Sequence, residues 1–290
     1  MLRGKYVVFS VITFVTMACI VAIVQLKGNN EVNENKNTIN KYNFSNLAQI
    51  KKVKVIAHRG QCLGEVENSM SAIKSSIKYK VDYAEIDVQE TSDGVVVLMH
   101  DRSLKRLTGL NKNVDQLTFA QIEKQNIAAK MPGDMVERVP TLEQVIKECE
   151  GKLNLIIEIK PYANTTDLTN KVVNIINKNN FVNQCKVHSL SYKILLNVKQ
   201  LNPNIQTGYI IGRPISNIGA LNVNFFSVEE KAVNSKMIED IHKSNKEIYV
   251  WTVDKKSDMN NLLKLNIDGI ITDKPLQLMN IKKSINSEKI

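Results

Sequence analysis

From residue 53 onward, short apolar runs alternate with longer segments whose apolar residues recur three or four positions apart. The first pattern is typical of buried strands and the second of amphipathic helices. The predicted strands are residues 53–57, 83–88, 95–99, 153–159, 186–188, 206–211, 223–227, 248–253 and 269–271. The predicted helices are residues 69–80, 168–178, 192–201, 235–244, 256–265 and 276–283, and two more that open at the capping boxes Thr118/Gln121 and Thr141/Gln144.

The order of these elements predicts an α/β fold. Residues 91–94 (Thr-Ser-Asp-Gly) predict a turn, so the run 95–99 is interpreted as the second strand of a hairpin. Eight βα units remain without it, and eight units in this length favour a closed (β/α)₈ TIM barrel over an open sheet. Residues 102–140, approximately, are too many for one connection and are interpreted as a small insertion after the second-strand hairpin. The barrel domain is assigned to residues 53–285.

The N-terminal segment predicts a membrane anchor. Residues 6–26 carry no charge, and as a helix they would span about 30 Å, the thickness of the hydrocarbon core of a bilayer. Arg3 and Lys5 precede them, so the positive-inside rule directs the rest of the chain out of the cytoplasm. We therefore predict a transmembrane signal-anchor at residues 1–27 and a flexible spacer at residues 28–52. The protein would be a single-pass protein of the cell membrane with its catalytic domain on the extracytoplasmic side; a cleaved signal peptide is the alternative.

The net charge and the cysteine content limit the kinds of binding partner that the sequence predicts. The formal net charge is +10, but the lysines are scattered, with no basic run and no interleaved aromatic residues, so no nucleic-acid binding is predicted. A position beside an anionic membrane surface is the simpler account of the positive charge. Cys62, Cys149 and Cys185 show neither disulfide nor metal-ligand spacing and are interpreted as small buried or semi-buried thiols. No feature of the sequence indicates an obligate protein partner.

Charged side chains gather at the C-terminal ends of the predicted strands, where a barrel of this kind places one shared mouth. They are His58 and Arg59 after the first strand, Glu85 and Asp87 on the second, His100 after the hairpin strand, and Glu158 and Lys160 at the end of the next. Three carboxylates from two neighbouring strands supply the oxygen donors that a hard divalent cation prefers. Two histidines without cysteine partners suit proton transfer. The arginine and the lysine supply fixed positive charge for an anionic group, and the set as a whole predicts attack on a phosphodiester.

The motifs at these positions resemble those of the glycerophosphodiester phosphodiesterase family. In order they are His58-Arg59-Gly60, Glu67-Asn68-Ser69, Glu85-Ile86-Asp87-Val88, His100-Asp101, Glu158-Ile159-Lys160, Val250-Trp251-Thr252-Val253 and residues 268–275. Each motif alone has low specificity, but all occur in the family's order and they cover residues 53–275. Family members usually carry proline where this chain has Val66, and proline stiffens a loop, so the position of Glu67 is the least certain part of the match.

The resemblance implies metal-dependent hydrolysis of a small glycerophosphodiester to glycerol phosphate and an alcohol. It also implies one divalent cation, Ca²⁺ or Mg²⁺ with Mn²⁺ as an alternative. The matching residues are His58 and His100 as the acid/base pair, Glu85, Asp87 and Glu158 as metal ligands, and Arg59 and Lys160 as phosphate contacts. In the family a neighbouring hydroxyl attacks first and gives a cyclic phosphate that water then opens. The insertion resembles the family's small cap over the mouth, which influences the head group that fits.

The remaining polar residues near these motifs receive weaker assignments. Glu67 and Trp251 are candidates for contact with the substrate or for support of the site, although Trp251 could equally pack in the core. His188 and His242 are interpreted as structural, and Asp254 and Asp273 as helix caps.

Two rival functions remain open. One keeps the barrel and the metal but changes the substrate, as in the related sphingomyelinase D and phosphoinositide phospholipase C families. The other is a degenerate barrel that acts as an anchored binding protein. Such a barrel should have lost a histidine or a carboxylate of the site, and this chain has lost none.

Overall fold

In the computed structural model, the described residues are 48–162 and 164–287. Residues 48–52 are helical, whereas the sequence predicted the end of a flexible spacer there. The predicted anchor at residues 1–27 and the rest of the spacer lie outside the described residues. Within the described ranges, no helix is both long enough and apolar enough to cross a bilayer.

The strands of residues 52–287 close into a barrel, which confirms the predicted fold. The strands are β1 (Lys54–Ala57), β2 (Tyr83–Glu90), β3 (Val96–Leu98), β4 (Asn154–Ile159), β5 (Cys185–Ser189), β6 (Gln206–Ile211), β7 (Phe225–Glu229), β8 (Glu247–Trp251) and β9 (Gly269–Thr272). Neighbours pair in parallel in the order β1-β9-β8-β7-β6-β5-β4-β2, and β1 also pairs with β2, which closes the ring. Strand β3 is antiparallel to β2 and forms the predicted hairpin.

Helices follow the strands as the βα pattern predicted. They are α1 (Met70–Tyr79), α2 (Lys105–Thr108), α3 (Phe119–Ile122), α4 (Leu142–Cys149), α5 (Thr165–Lys178), α6 (Tyr192–Leu201), α7 (Ser235–Lys243), α8 (Lys256–Leu262) and α9 (Pro275–Ser287). Both predicted capping boxes are present, at the starts of α3 and α4. In the second, the Gln144 amide N–H donates to Thr141 Oγ1 at 3.2 Å and the Thr141 amide N–H donates to Gln144 Oε1 at 2.9 Å.

The insertion packs on the hairpin through a shared apolar cluster. Val114 and Ile122 from the insertion pack with Val97 and Met99 of the hairpin in one buried cluster. Val66 belongs to the same cluster and is 3% exposed. Packing against the insertion therefore fixes the loop before Glu67, where family members usually carry proline. The three described cysteines, Cys62, Cys149 and Cys185, are free and buried, as predicted.

Candidate active site

The described residues form a cavity at the C-terminal ends of the barrel strands, which we call the mouth. Most of the predicted site residues line it: His58, Arg59, Glu85, His100, Glu158, Lys160 and Trp251. His188, which the sequence assigned a structural role, lines it too. Parallel strands bring their C-terminal ends to one side of a barrel, and this is why residues distant in sequence meet here.

Register places three of the polar residues side by side across three strands. Asp87 on β2 is aligned with Glu158 on β4, and Glu158 is aligned with His188 on β5. Glu85 lies two residues before Asp87 and so faces the same side of β2. All four side chains are buried. Burial of this much charge is costly unless it is paired or bound to a cation.

Glu85, Glu158 and His188 form a candidate metal group. One oxygen of each carboxylate and one imidazole nitrogen lie within 4.8 Å of one another. Burial, together with the charge of nearby Asp87, raises the pKa of Glu158 to about 7. Two buried carboxylates this close together fit a divalent cation, because its charge would favour the ionised form of both.

Asp87 is held differently from the other two carboxylates. Its Oδ1 lies 2.8 Å from Lys160 Nζ, and its Oδ2 accepts a hydrogen bond from Asn68 Nδ2 at 2.8 Å. The Asp87 amide N–H donates in turn to Asn68 Oδ1 at 3.0 Å. Burial disfavours the charge, but Lys160, His100 and Arg59 outweigh burial and hold the pKa of Asp87 well below its usual range.

Lys160 therefore joins two acidic residues instead of standing alone at the mouth. Its Nζ lies 2.9 Å from Glu158 Oε1 as well as 2.8 Å from Asp87 Oδ1. These two charges outweigh the effect of burial and raise the pKa of Lys160 above its usual value. Lys160 stays protonated at neutral pH as a result, which is what a phosphate contact requires.

His58 follows β1 in a single turn of 3₁₀ helix and is held by Asp273. The distance from His58 Nδ1 to Asp273 Oδ1 is 2.7 Å. Burial lowers the pKa of His58, but the hydrogen bond to Asp273 and the charge of Glu85 outweigh burial and raise it. Arg59, the next residue, has a left-handed backbone (φ 52°), and its amide N–H donates to Glu85 Oε2 at 3.0 Å. Left-handed backbone at a non-glycine residue is uncommon and clusters at functional sites.

His100 is held by a carboxylate in the same way. Its Nδ1 lies 2.7 Å from Asp101 Oδ1. Asp101 Oδ2 accepts a hydrogen bond from Arg106 Nε at 2.6 Å. Arg106 also donates from both terminal nitrogens to Glu67, at 2.6 and 2.7 Å, and Glu67 accepts from Arg59 Nη1 at 2.8 Å. One guanidinium from the insertion thus connects the supports of Arg59 and His100.

An apolar wall lies beside these charges. Leu190, Ile210 and Trp251 line it, and Leu190 is half exposed. Trp251 is fixed in place because its Nε1–H donates to the Ser227 carbonyl at 3.0 Å. Trp251 lines the mouth and also packs against a buried core cluster, so its position fits both alternatives that the sequence left open.

The predicted site residues are brought together, while their chemical roles stay predictions. Glu67 lies beside Arg59 and supports it. Sequence reasoning missed several residues that orient the site: Asn68, Asp101, Arg106, His188 and Asp273. Asp273 was predicted to cap a helix. In the structure its carboxylate instead contacts Nδ1 of His58. Asn68 and Asp101 stand inside the quoted motifs, which was the available signal; nothing local marked Arg106.

Comparison with known proteins gives one consistent result. Residues 58–277 match the glycerophosphoryl diester phosphodiesterase family. A glycerophosphodiester phosphodiesterase from Caldanaerobacter subterraneus is 32% identical over 79% of this chain and 98% of its own length. A crystal structure of a glycerophosphodiester phosphodiesterase from Parabacteroides distasonis has a TM-score of 0.73 at 23% identity, covering 81% of this chain and 99% of that one. A phosphodiesterase from Oleispira antarctica, in complex with the product sn-glycerol-3-phosphate, has the same fold: its TM-score is 0.71 at 21% identity, over 80% of this chain and 96% of that one.

Proposed function

The chain belongs to the glycerophosphoryl diester phosphodiesterase family and is a glycerophosphodiester phosphodiesterase, and we propose that its reaction is metal-dependent and uses His58 and His100 as the acid/base pair. Such an enzyme hydrolyses a glycerophosphodiester to glycerol phosphate and an alcohol. One observation carries the proposal for the histidines: each Nδ1 is bound by a carboxylate, at 2.7 Å in both cases. A carboxylate on Nδ1 fixes the ring, so Nε2 is the nitrogen left to exchange a proton with substrate.

Different residues of the chain would bind the phosphate and transfer the protons. Arg59 and Lys160 both line the mouth and supply positive charge to a phosphate group. One histidine would take the proton from the attacking hydroxyl, and the other would protonate the departing alkoxide. Asp101 and Asp273 keep the two rings oriented, and the hydrogen bond from Asp273 favours the protonated form of His58.

The donor set supports a resident divalent cation. Glu85, Asp87 and Glu158 offer the oxygen ligands that suit Ca²⁺ or Mg²⁺, and Mn²⁺ accepts the same donors. When bound, such an ion polarises the phosphoryl oxygens and offsets negative charge in the transition state.

A substrate panel tests the function. The full-length protein in detergent would be given glycerophosphocholine, glycerophosphoethanolamine, glycerophosphoglycerol and glycerophosphoinositol, with release of glycerol phosphate as the readout. We expect hydrolysis of at least one of the four. Cleavage of sphingomyelin or of a phosphoinositide lipid, without turnover of any of the four, would instead favour the rival phospholipases. Binding without any turnover would favour the degenerate barrel.

We also propose that residues 1–27 anchor the protein in the cell membrane, with the barrel on the extracytoplasmic side. The uncharged run at residues 6–26 and the preceding Arg3 and Lys5 support this. We expect the protein to stay in the membrane fraction after a carbonate wash and to keep its original amino terminus. Protease added to intact cells should digest the barrel. A soluble product that begins after Ala18 would show signal cleavage instead.

Arg106 offers a sharper test of how the site is oriented. Its guanidinium spans Asp101 and Glu67, so Arg106→Ala should loosen His100 and Arg59 together. We expect kcat to fall by about 10–100-fold, because a misplacement of about 1 Å can cost 10²-fold in rate. Steady-state kinetics on the best substrate would measure this.

Arg102→Ala is the matched control, because Arg102 lies in the same insertion but pairs with Asp115, at 3.0 Å. Arg106→Lys should recover little, since an ammonium cannot reproduce the bidentate contact. Equal kcat values for Arg106→Ala and Arg102→Ala would contradict the role given to Arg106.

A further inference from the structure

His188 has a contact pattern that a purely structural histidine would not have. The ring is 3% exposed, and Nε2 forms no hydrogen bond within residues 48–162 and 164–287. A buried polar atom without a partner costs free energy, and most buried polar atoms in proteins have one. Nε2 points instead toward the candidate metal group, 3.5 Å from Glu85 Oε1.

The other ring nitrogen explains how Nε2 could serve as a ligand. His188 Nδ1 lies 3.0 Å from the hydroxyl of Ser227, which is fully buried. If Nδ1 carries the proton and donates it to Ser227 Oγ, the lone pair of Nε2 is directed at the carboxylates. Metal-bound histidines are held in this way, with the second nitrogen donating to a neighbouring oxygen.

The distances around His188 Nε2 fit a cation bound by both His188 and Glu85 better than a direct hydrogen bond between these two residues. A gap of 3.5 Å between Nε2 and Oε1 is too long for a good hydrogen bond. Ligand atoms on one divalent ion lie about 2.0–2.6 Å from it, hence up to about 4–5 Å from each other. The three donor atoms of Glu85, Glu158 and His188 lie within 4.8 Å of one another, which matches that spacing.

We propose that His188 Nε2 is a direct ligand of the divalent cation, together with Glu85 and Glu158, and that this nitrogen makes the site prefer Mn²⁺ to Ca²⁺ and Mg²⁺. The proposal rests on the metal dependence proposed above and specifies its ion. Ca²⁺ and Mg²⁺ take oxygen ligands, whereas imidazole binds transition-metal ions better. Asp87, which is also bound by Lys160 and Asn68, stays among the oxygen donors named above, and His188 adds a nitrogen to them.

Pulsed electron paramagnetic resonance on the Mn²⁺-loaded, full-length protein tests the ligand directly. Wild type should show coupling of Mn²⁺ to one imidazole ¹⁴N. The signal should vanish in His188→Gln, and Mn²⁺ affinity measured by calorimetry should fall by about tenfold or more, since even residues that only orient a ligand are worth 10–100-fold. Ca²⁺ affinity should fall by less than Mn²⁺ affinity.

His242→Gln is the control, because His242 Nε2 is bound to Asp268 at 2.9 Å and His242 does not line the mouth. It should keep both the ¹⁴N coupling and the affinity. Mn²⁺ that binds wild type without ¹⁴N coupling, and is lost in Glu158→Gln, would overturn the role of His188 and leave metal dependence intact. A wild-type protein that binds none of the three cations would overturn both proposals. Because the first measurement uses wild type, the test does not depend on the variants folding.

Discussion

Removal of divalent cations is expected to abolish turnover, and addition of Ca²⁺, Mg²⁺ or Mn²⁺ is expected to restore it. Glu85 and Glu158 are buried side by side, and burial with the charge of Asp87 raises the pKa of Glu158 to about 7. Without a cation, the charged form of Glu158 is therefore poorly stabilised. The site then lacks the positive charge that offsets the phosphoryl oxygens in the transition state. Glycerol phosphate release, before and after EDTA treatment and dialysis, is the measurement.

Glu158→Gln keeps the shape of the side chain but removes its charge, so no added cation should rescue this variant. Glu143→Gln is the matched control: Glu143 lies on α4 and pairs with Lys147 at 3.3 Å, at the exposed surface. Its activity should equal that of wild type. Full turnover in a preparation shown to be free of metal by elemental analysis would contradict the proposed metal dependence.

The strands could be predicted because barrel strands are buried on both faces and read as continuous apolar runs. The predicted run 206–211 is the observed β6, and the predicted helix 192–201 is the observed α6. The limits of β7 were less accurate. Val223 and Asn224 were included, but Asn224 uses its backbone and its side chain to bond Thr207, so the strand begins at Phe225. Hydrogen bonding sets such an end, and apolar content does not show it.

The site shows what a single sequence can and cannot reveal. Residues that act through charge at a strand end, such as Glu85 and His58, were identifiable from position and motif. His188 also ends a predicted strand, but a lone histidine more often has a structural role, and only the β4–β5 register shows it beside Glu158. Arg106 reaches Glu67 across 39 positions in the chain. No local periodicity encodes a contact of that kind, because it depends on how the insertion folds over the hairpin.

Replacement of His58 or His100 is expected to show which of the two proposed proton transfers each histidine carries out. His58→Ala or His100→Ala is expected to lower kcat by about 10²–10⁴-fold on a natural glycerophosphodiester, the usual contribution of one positioned acid or base. A nitrophenyl ester needs little protonation as its leaving group departs. Loss of the general acid should therefore cost far less on that ester, whereas loss of the general base should cost about the same on both substrates. Comparing kcat for the two variants on the two substrates assigns the roles.

Two controls test whether a fall in kcat reflects the loss of proton transfer. His242→Ala removes a histidine that pairs with Asp268 away from the mouth, so its kcat should match wild type on both substrates. Metal affinity should be nearly unchanged in His58→Ala and His100→Ala, because their Nδ1 atoms bind Asp273 and Asp101 and neither ring belongs to the candidate metal group. Loss of the metal would also lower kcat, and calorimetry distinguishes this cause from the loss of proton transfer. If both variants keep near-wild-type kcat on a natural glycerophosphodiester, the two-histidine mechanism is wrong, whatever ion the site holds.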